Sequence, residues 1–305
     1  MAQILSIKNK KRNMKKFILS LTFLAIGTIT TLAQNTLTKE YSFKDITCIK
    51  ANSIFDIEVT KGNSGTVKIV YKDIFKDRIK VNCSQGTLEL SLDKPSIRLN
   101  SNNRTPDIKV YLQMPHINDI ELSGTSRLTA EGVFETKKGM EIELDGASSV
   151  KGLQAKGEHL SIECSGASQL QMSGAFKKVD TELSGASKIA YTGDCKEFSG
   201  EFSGASGASL EGYCDITTIE CSGASSVTME GETDDLTVIV SGASKFKGEK
   251  YEAKKGYVEA TGASNAQVRC TGELRATVGK ASRLTHYGNP EIIDLNKSSN
   301  IKKGD

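Results

Sequence analysis

Residues 181–193 read TELSGASKIAYTG, and the phrase inside them, Ser184-Gly185-Ala186-Ser187, recurs along the chain. IECSGASQLQMSG stands at 162–174, IECSGASSVTMEG at 219–231 and VIVSGASKFKGEK at 238–250. With the Ala of each phrase as position zero, the copies fall at Thr125, Ala147, Ala167, Ala186, Ala205, Ala224, Ala243, Ala263 and Ala281. The steps are 22, 20, 19, 19, 19, 19, 20 and 18 residues. Repetition at one pitch defines a repeat architecture and takes precedence over any local reading.

The columns of the repeat say which architecture. Three before zero stand Leu122, Leu144, Cys164, Leu183, Phe202, Cys221, Val240, Ala260 and Val278. The columns five before and three after are also mostly apolar, and polar columns alternate with them. Alternation with period two is the signature of strands with one buried face. β-branched residues and Gly are frequent and no 3.6-residue stripe persists, so helices do not fit. One such unit cannot bury its own apolar face, whereas stacked units can. Residues 120–288 therefore read as an all-β parallel β-helix of about nine coils of roughly 19 residues, which at ~4.8 Å per layer would be ~43 Å long.

The phrase itself suits a corner. Gly tolerates positive φ and close backbone approach, and Ala and Ser keep the corner thin enough to stack. Ser follows position zero in every copy, at Ser126, Ser148, Ser168, Ser187, Ser206, Ser225, Ser244, Ser264 and Ser282. Its hydroxyl can bond the turn or a neighbouring coil. No base recurs beside it, so a nucleophilic role is not favoured. Of the seven Cys, Cys164 and Cys221 occupy an inward column as small hydrophobes. Cys195 and Cys214 share one column in adjacent coils, near enough for a disulfide; reduced packing is the favoured reading. The Cys spacing matches no metal pattern and no cofactor is expected.

One polar column asks for more. Four before zero stand Glu121, Glu143, Glu163, Glu182, Glu201, Glu220 and Glu259, broken by Ile239 and Thr277. Flanked by apolar columns, these Glu should face outward, joined by Asp119, Glu141 and Asp180. Such a stripe could steer a basic protein partner or collect hard cations such as Ca²⁺. The plainer reading is a solvated face copied along with its repeat, which also keeps a long sheet soluble.

The remaining segments set the context. Residues 1–33 hold six basic groups and no acid, followed from Phe17 by a 17-residue apolar run that ends in Thr31-Leu32-Ala33. This is the pattern of a secretory signal peptide. Without those six cations, 34 basic groups face 37 acidic ones, a net −3. Nucleic-acid binding then loses its electrostatic motive, and no other segment is apolar enough to span a membrane as a helix. Residues 34–119 alternate like strands, with breaks at Gly62-Asn63, Gln85-Gly86 and 100–106, and read as hairpins or irregular coils feeding the solenoid and covering its first edge. Residues 289–305 read as a polar, loose tail.

The run FDIEVTKG…VKIVYKD…IKVNCSQGTLELSL…DIKVYLQMPHINDIELSGTSRL, followed by SGAS coils, resembles the head GIN domain family of auto-transporter adhesins over about residues 42–288. The resemblance implies a right-handed, pectin-lyase-like β-helix and an adhesive role in exported bacterial proteins. It supplies no catalytic residues. Lys280 stands where the other copies have Gly, which suggests a distorted final coil. The expected function is an exported, non-enzymatic binding or structural module with an unidentified surface ligand, glycan or protein. A receptor role through the Glu stripe is the alternative. A polysaccharide lyase or hydrolase is the weakest reading. It would need clustered acids beside a basic residue; Arg78-Ile79-Lys80 matches only a fragment of a polygalacturonase signature, and His116, His159 and His286 share no repeat column.

Overall fold

Strands form on both sides of each SGAS phrase, and strands of successive repeats pair in parallel and in register. The structure, a computed structural model, describes residues 36–93, 108–136, 139–295 and 300–304. Apart from one 3-10 turn, Asp73–Phe75, its regular elements are all strands. The inward column runs Leu122, Leu144, Cys164, Leu183, Phe202, Cys221, Val240, Ala260, Val278, each residue paired with the next. None of these nine is more than 2% exposed. Burying a Leu, Val, Ile or Phe contributes about 1.5–3 kcal/mol, so stacking on a neighbour is what stabilises each coil. Volume is balanced within a coil: beside the bulky Phe202, whose ring sits where a Cβ on Gly200 would fall, stand Gly200 and Ala208.

The corners stack as a hydrogen-bonded ladder. The amides of Ala147, Ala186, Ala205, Ala224, Ala243 and Ala263 each donate to a glycine carbonyl one coil down at 2.7 Å. The reason for Gly is visible at Gly185, where φ is +65° and a Cβ would lie 2.5 Å from the carbonyl oxygen of Gly166. The turn at Lys280 differs from the others, as the loss of Gly suggests: Lys280 lacks the positive φ of the corner glycines it replaces. The partner changes too: the Ser282 hydroxyl, not an alanine amide, donates to the carbonyl of Gly262, at 3.2 Å.

Three expectations are corrected. First, the coils by which residues 34–119 feed the solenoid are regular rather than irregular. Cys48–Ser53 and Phe55–Lys61 form a coil directly beneath Asp119–Gly124 and Arg127–Glu131. Thr87–Leu92 and Ile108–Met114 form another below that. Gln85-Gly86 does close a hairpin, but Gly62-Asn63 does not, because Ile108–Met114 lies between Phe55–Lys61 and Thr66–Lys72. Antiparallel strands, Ile79–Ser84 on one side and Thr66–Lys72 with Thr36–Ser42 on the other, end the parallel stack. Second, the C-terminal segment is not wholly loose: Glu291–Leu295 and Ile301–Lys303 pair in parallel with Asn265–Val278 and Arg283–Tyr287. Third, Cys195 and Cys214 are joined by a disulfide across adjacent coils, with Cα atoms 4.7 Å apart. In-register stacking brings the two side chains together in the interior, so reduced packing was the wrong preference. The expected signal peptide lies outside the described residues. Among those described, no helix is long and apolar enough to cross a membrane.

Candidate functional site: the charged faces beside the corner

Two flat sheet faces flank the stacked corner, and their outward residues carry the chemistry. On the face before the corner, Glu121, Glu143, Glu163, Glu182, Glu201 and Glu220 are consecutive register partners. Ile239 follows Glu220, and Glu259 follows Ile239. Glu143 through Glu220 are exposed, while Glu121 and Glu259 are half-buried. The row is interrupted below by Lys50, whose ammonium pairs with Glu121, and resumes one layer further down at Glu89; the Glu121 contact raises the Lys50 pKa. Burial, with Glu121, Glu141 and Glu163 adding repulsion, holds the Glu143 carboxyl above its ordinary value. Burial likewise raises Asp119, with Lys50 opposing and Glu141 and Glu121 adding. A shallow groove of about 140 Å³ follows the row, lined by Glu182, Glu201, Glu220, Ser203, Ser222 and Ser241. Among the described residues no three His, Cys, Asp or Glu converge as metal ligands.

The corner serines face the other way. All nine are buried, none more than 2% exposed. Ser148, Ser187, Ser244 and Ser264 each donate to a backbone carbonyl one coil down at 3.2 Å. Ser187 and Ser244 also reach Ser184 and Ser241 within their own turns, at 2.7 and 2.6 Å. They are parts of the wall. Cys164 and Cys221 sit behind them, and burial pushes both thiols up to about 12, against the opposing effect of Ser168 and Ser225.

The face after the corner was not singled out from the sequence. Its two outward columns, two and four residues after position zero, carry Arg127, Lys151, Lys188, Lys245, Lys247 and Arg283, and no acid from Arg127 to Thr285. All six cations are exposed. Between them stand Ser, Thr, Gln, Asn, Gly and Ala, so no single residue type marks these columns. A concavity of about 480 Å³ opens here, lined by Arg127, Lys151, Asp56, Thr129, Ser149 and Gln169.

Other outward charges are mutually paired between coils: Lys156 with Glu135 at 3.0 Å, Lys177 with Glu158 at 2.6 Å, Lys250 with Glu230 at 3.1 Å and Lys254 with Asp234 at 2.6 Å. The residues behind the enzymatic reading are scattered. Lys80 pairs with Asp93 in the end hairpin, His159 with Asp180, and His116 contacts the carbonyl of Glu135.

These features define a β-solenoid with an enclosed apolar core and charged outer faces. The family model "Putative auto-transporter adhesin, head GIN domain" matches residues 45–210 and 192–290. The chain belongs to this family. Its fold is similar to that of a "putative adhesin" from Parabacteroides merdae, at TM-score 0.51 and 12% identity, covering 90% of this chain and 98% of that one. A second "putative adhesin", from Parabacteroides distasonis, aligns at TM-score 0.50 and 15% identity over 89% of this chain and 97% of its own. At these identities the likeness concerns the fold alone. No curated protein matches the chain.

Proposed function

We propose that this protein is an exported, non-catalytic adhesion module that offers the flat faces of a rigid β-solenoid to a ligand. The observation that carries the reading is the acidic row. Glu143, Glu163, Glu182, Glu201 and Glu220 are held in register by backbone ladders, yet none forms an ion pair among the described residues, whereas charges elsewhere on the coils do. Charges fixed on a rigid array lose little entropy on binding, which favours a cationic or hydrogen-bond-donating partner. Export is supported by residues 1–33 and by the Cys195–Cys214 disulfide, a bond of oxidising compartments.

The test is binding of purified protein to glycan and cell-surface protein arrays, with polysaccharide turnover measured alongside. Binding that weakens in the Glu163→Gln, Glu182→Gln, Glu201→Gln triple variant supports the reading. Robust polysaccharide turnover, or binding indifferent to those substitutions, would overturn it.

A further inference from the structure

We propose that the partner of the acidic face is the basic face of a second copy of this chain, so that solenoids associate side by side. The inference rests on the reading of the acidic row as a binding surface and goes on to name what it binds. Its first ground is segregation. The thin corner divides a face of outward acids from a face whose six cations, Arg127, Lys151, Lys188, Lys245, Lys247 and Arg283, have no acid in their columns from Arg127 to Thr285. None of the six forms an ion pair among the described residues. Charge that the fold leaves unpaired on both sides of one edge is complementary between copies.

The second ground is pitch. Both faces belong to the same coils, so their layers repeat at the same ~4.8 Å spacing, although the coils of Ala167, Ala205, Ala224 and Ala263 carry no cation in these columns. Two copies at the same level set the layers of Arg127, Lys151 and Lys188 against those of Glu121, Glu143 and Glu182. The third ground is a sign reversal in each row. One layer below Glu121 the acidic row is interrupted by Lys50 and resumes at Glu89, and one layer below Arg127 the basic row is interrupted by Asp56 and resumes at Lys109. Copies of the same polarity and at the same height bring Lys50 of one opposite Asp56 of the next. An inverted copy would set Lys50 against the cations of the far coils. The sign reversal therefore selects parallel, level docking.

The contact is heterologous, acidic face on basic face, so each addition leaves one free face of either sign and growth need not stop at a dimer. It is electrostatic and exposed, hence weak per pair and dependent on salt.

Sedimentation of purified protein tests this directly. The average mass should rise with concentration at about 10 mM salt, where charges act over ~30 Å, and return to that of a monomer at about 1 M, where they act over ~3 Å. One variant carries Glu163→Lys, Glu182→Lys and Glu201→Lys; another carries Arg127→Glu, Lys188→Glu and Lys245→Glu. Each alone should be monomeric at low salt, and an equimolar mixture should associate. A wild type that stays monomeric at low salt overturns the inference, as does a mixture that fails to associate while both variants keep the wild-type melting curve. If the wild type stays monomeric but its acidic row still binds an array ligand, self-pairing alone is wrong and the adhesion reading stands. Capture of a polyanion by the basic face of a monomeric wild type would likewise replace the second copy as its occupant.

Discussion

The ladder of corner glycines makes a prediction with an internal control. Gly204 has φ +67°, and a Cβ there would lie 2.7 Å from the carbonyl oxygen and 3.0 Å from the amide nitrogen of Gly185. Gly207, three residues on, lacks the left-handed conformation, and its nearest neighbours to a Cβ are Lys188 Cγ and the Ser226 oxygen, both at 3.9 Å. An L-residue held at positive φ costs ~1–2 kcal/mol, and forcing a methyl into packed backbone adds ~1–3 kcal/mol, so Gly204→Ala should cost about 2–5 kcal/mol. Gly207→Ala should be neutral or stabilising by about 0.4–1 kcal/mol, because it narrows the unfolded ensemble at no steric cost. With a urea m-value of about 3 kcal/mol/M, the first substitution lowers the unfolding midpoint by roughly 1 M and the second leaves it unchanged or slightly higher. Urea titration followed by far-UV circular dichroism separates the two. Equal shifts, or a Gly204→Ala variant within about 0.5 kcal/mol of wild type, would refute the claim that stacked carbonyls demand glycine.

Further outcomes follow from other contacts. Under denaturing, non-reducing conditions a thiol assay should count five free cysteines; seven would exclude the disulfide. Reduction releases a cross-link spanning 19 residues, and calorimetry should show a loss of about 3 kcal/mol by the loop-entropy relation. Tyr251→Phe removes a buried hydroxyl that lies 2.8 Å from Thr217 Oγ1 and should cost about 1–2 kcal/mol in chemical denaturation; no loss would mean the internal network contributes nothing. Glu143 has a pKa raised above the ordinary 4.5 by burial and by its acidic neighbours. The folded chain therefore holds the extra proton between the unfolded and folded values, and stability rises as pH falls through that interval. Glu143→Gln should melt higher than wild type at neutral pH, with the gap closing as pH drops through the glutamate range. A variant that melts lower at neutral pH contradicts the repulsion.

The solenoid was legible because its causes are local and repeated. Leu183 and Cys164 announce an inward column by recurring at a fixed offset from Gly185 and Gly166, and Glu182 announces an outward one by alternation alone. The N-terminal order was not legible. Phe55–Lys61 is separated from its partner Ile108–Met114 by three further described strands, and neither partner carries the corner phrase that would align it. The corner there is Asn52-Ser53-Ile54, with φ +127° at Ser53 beneath Gly124. The disulfide was half legible: column sharing placed Cys195 beside Cys214 but could not decide whether the sulfurs bond. The basic face escaped because its cations are scattered irregularly over two columns, as Arg127, Lys151 and Lys188 show, so no single residue type recurs.

The uneven steps of the repeat show how the fold protects its corner. Where a step is 20 residues, the extra residue is absorbed as a bulge: Lys151-Gly152 opposes Gln171 alone, and Gly248-Glu249 opposes Met229 alone. The 18-residue step is likewise taken up beyond the corner, where pairing jumps from Gly248–Val268 to Glu252–Arg269. At both 20-residue coils the glycine-to-alanine ladder stays intact, and in all three cases the strand before the corner stays in register while length varies on the far side of the coil. A bulge tilts one strand locally and spares the backbone groups around it, whereas an extra residue in the corner would break the amide-to-carbonyl ladder of two neighbouring layers. Length variation is thus confined to the walls away from the acidic row. That confinement keeps the spacing of Glu121 through Glu220 uniform, and uniform spacing is what lets a second surface built on the same layer pitch meet several layers at once.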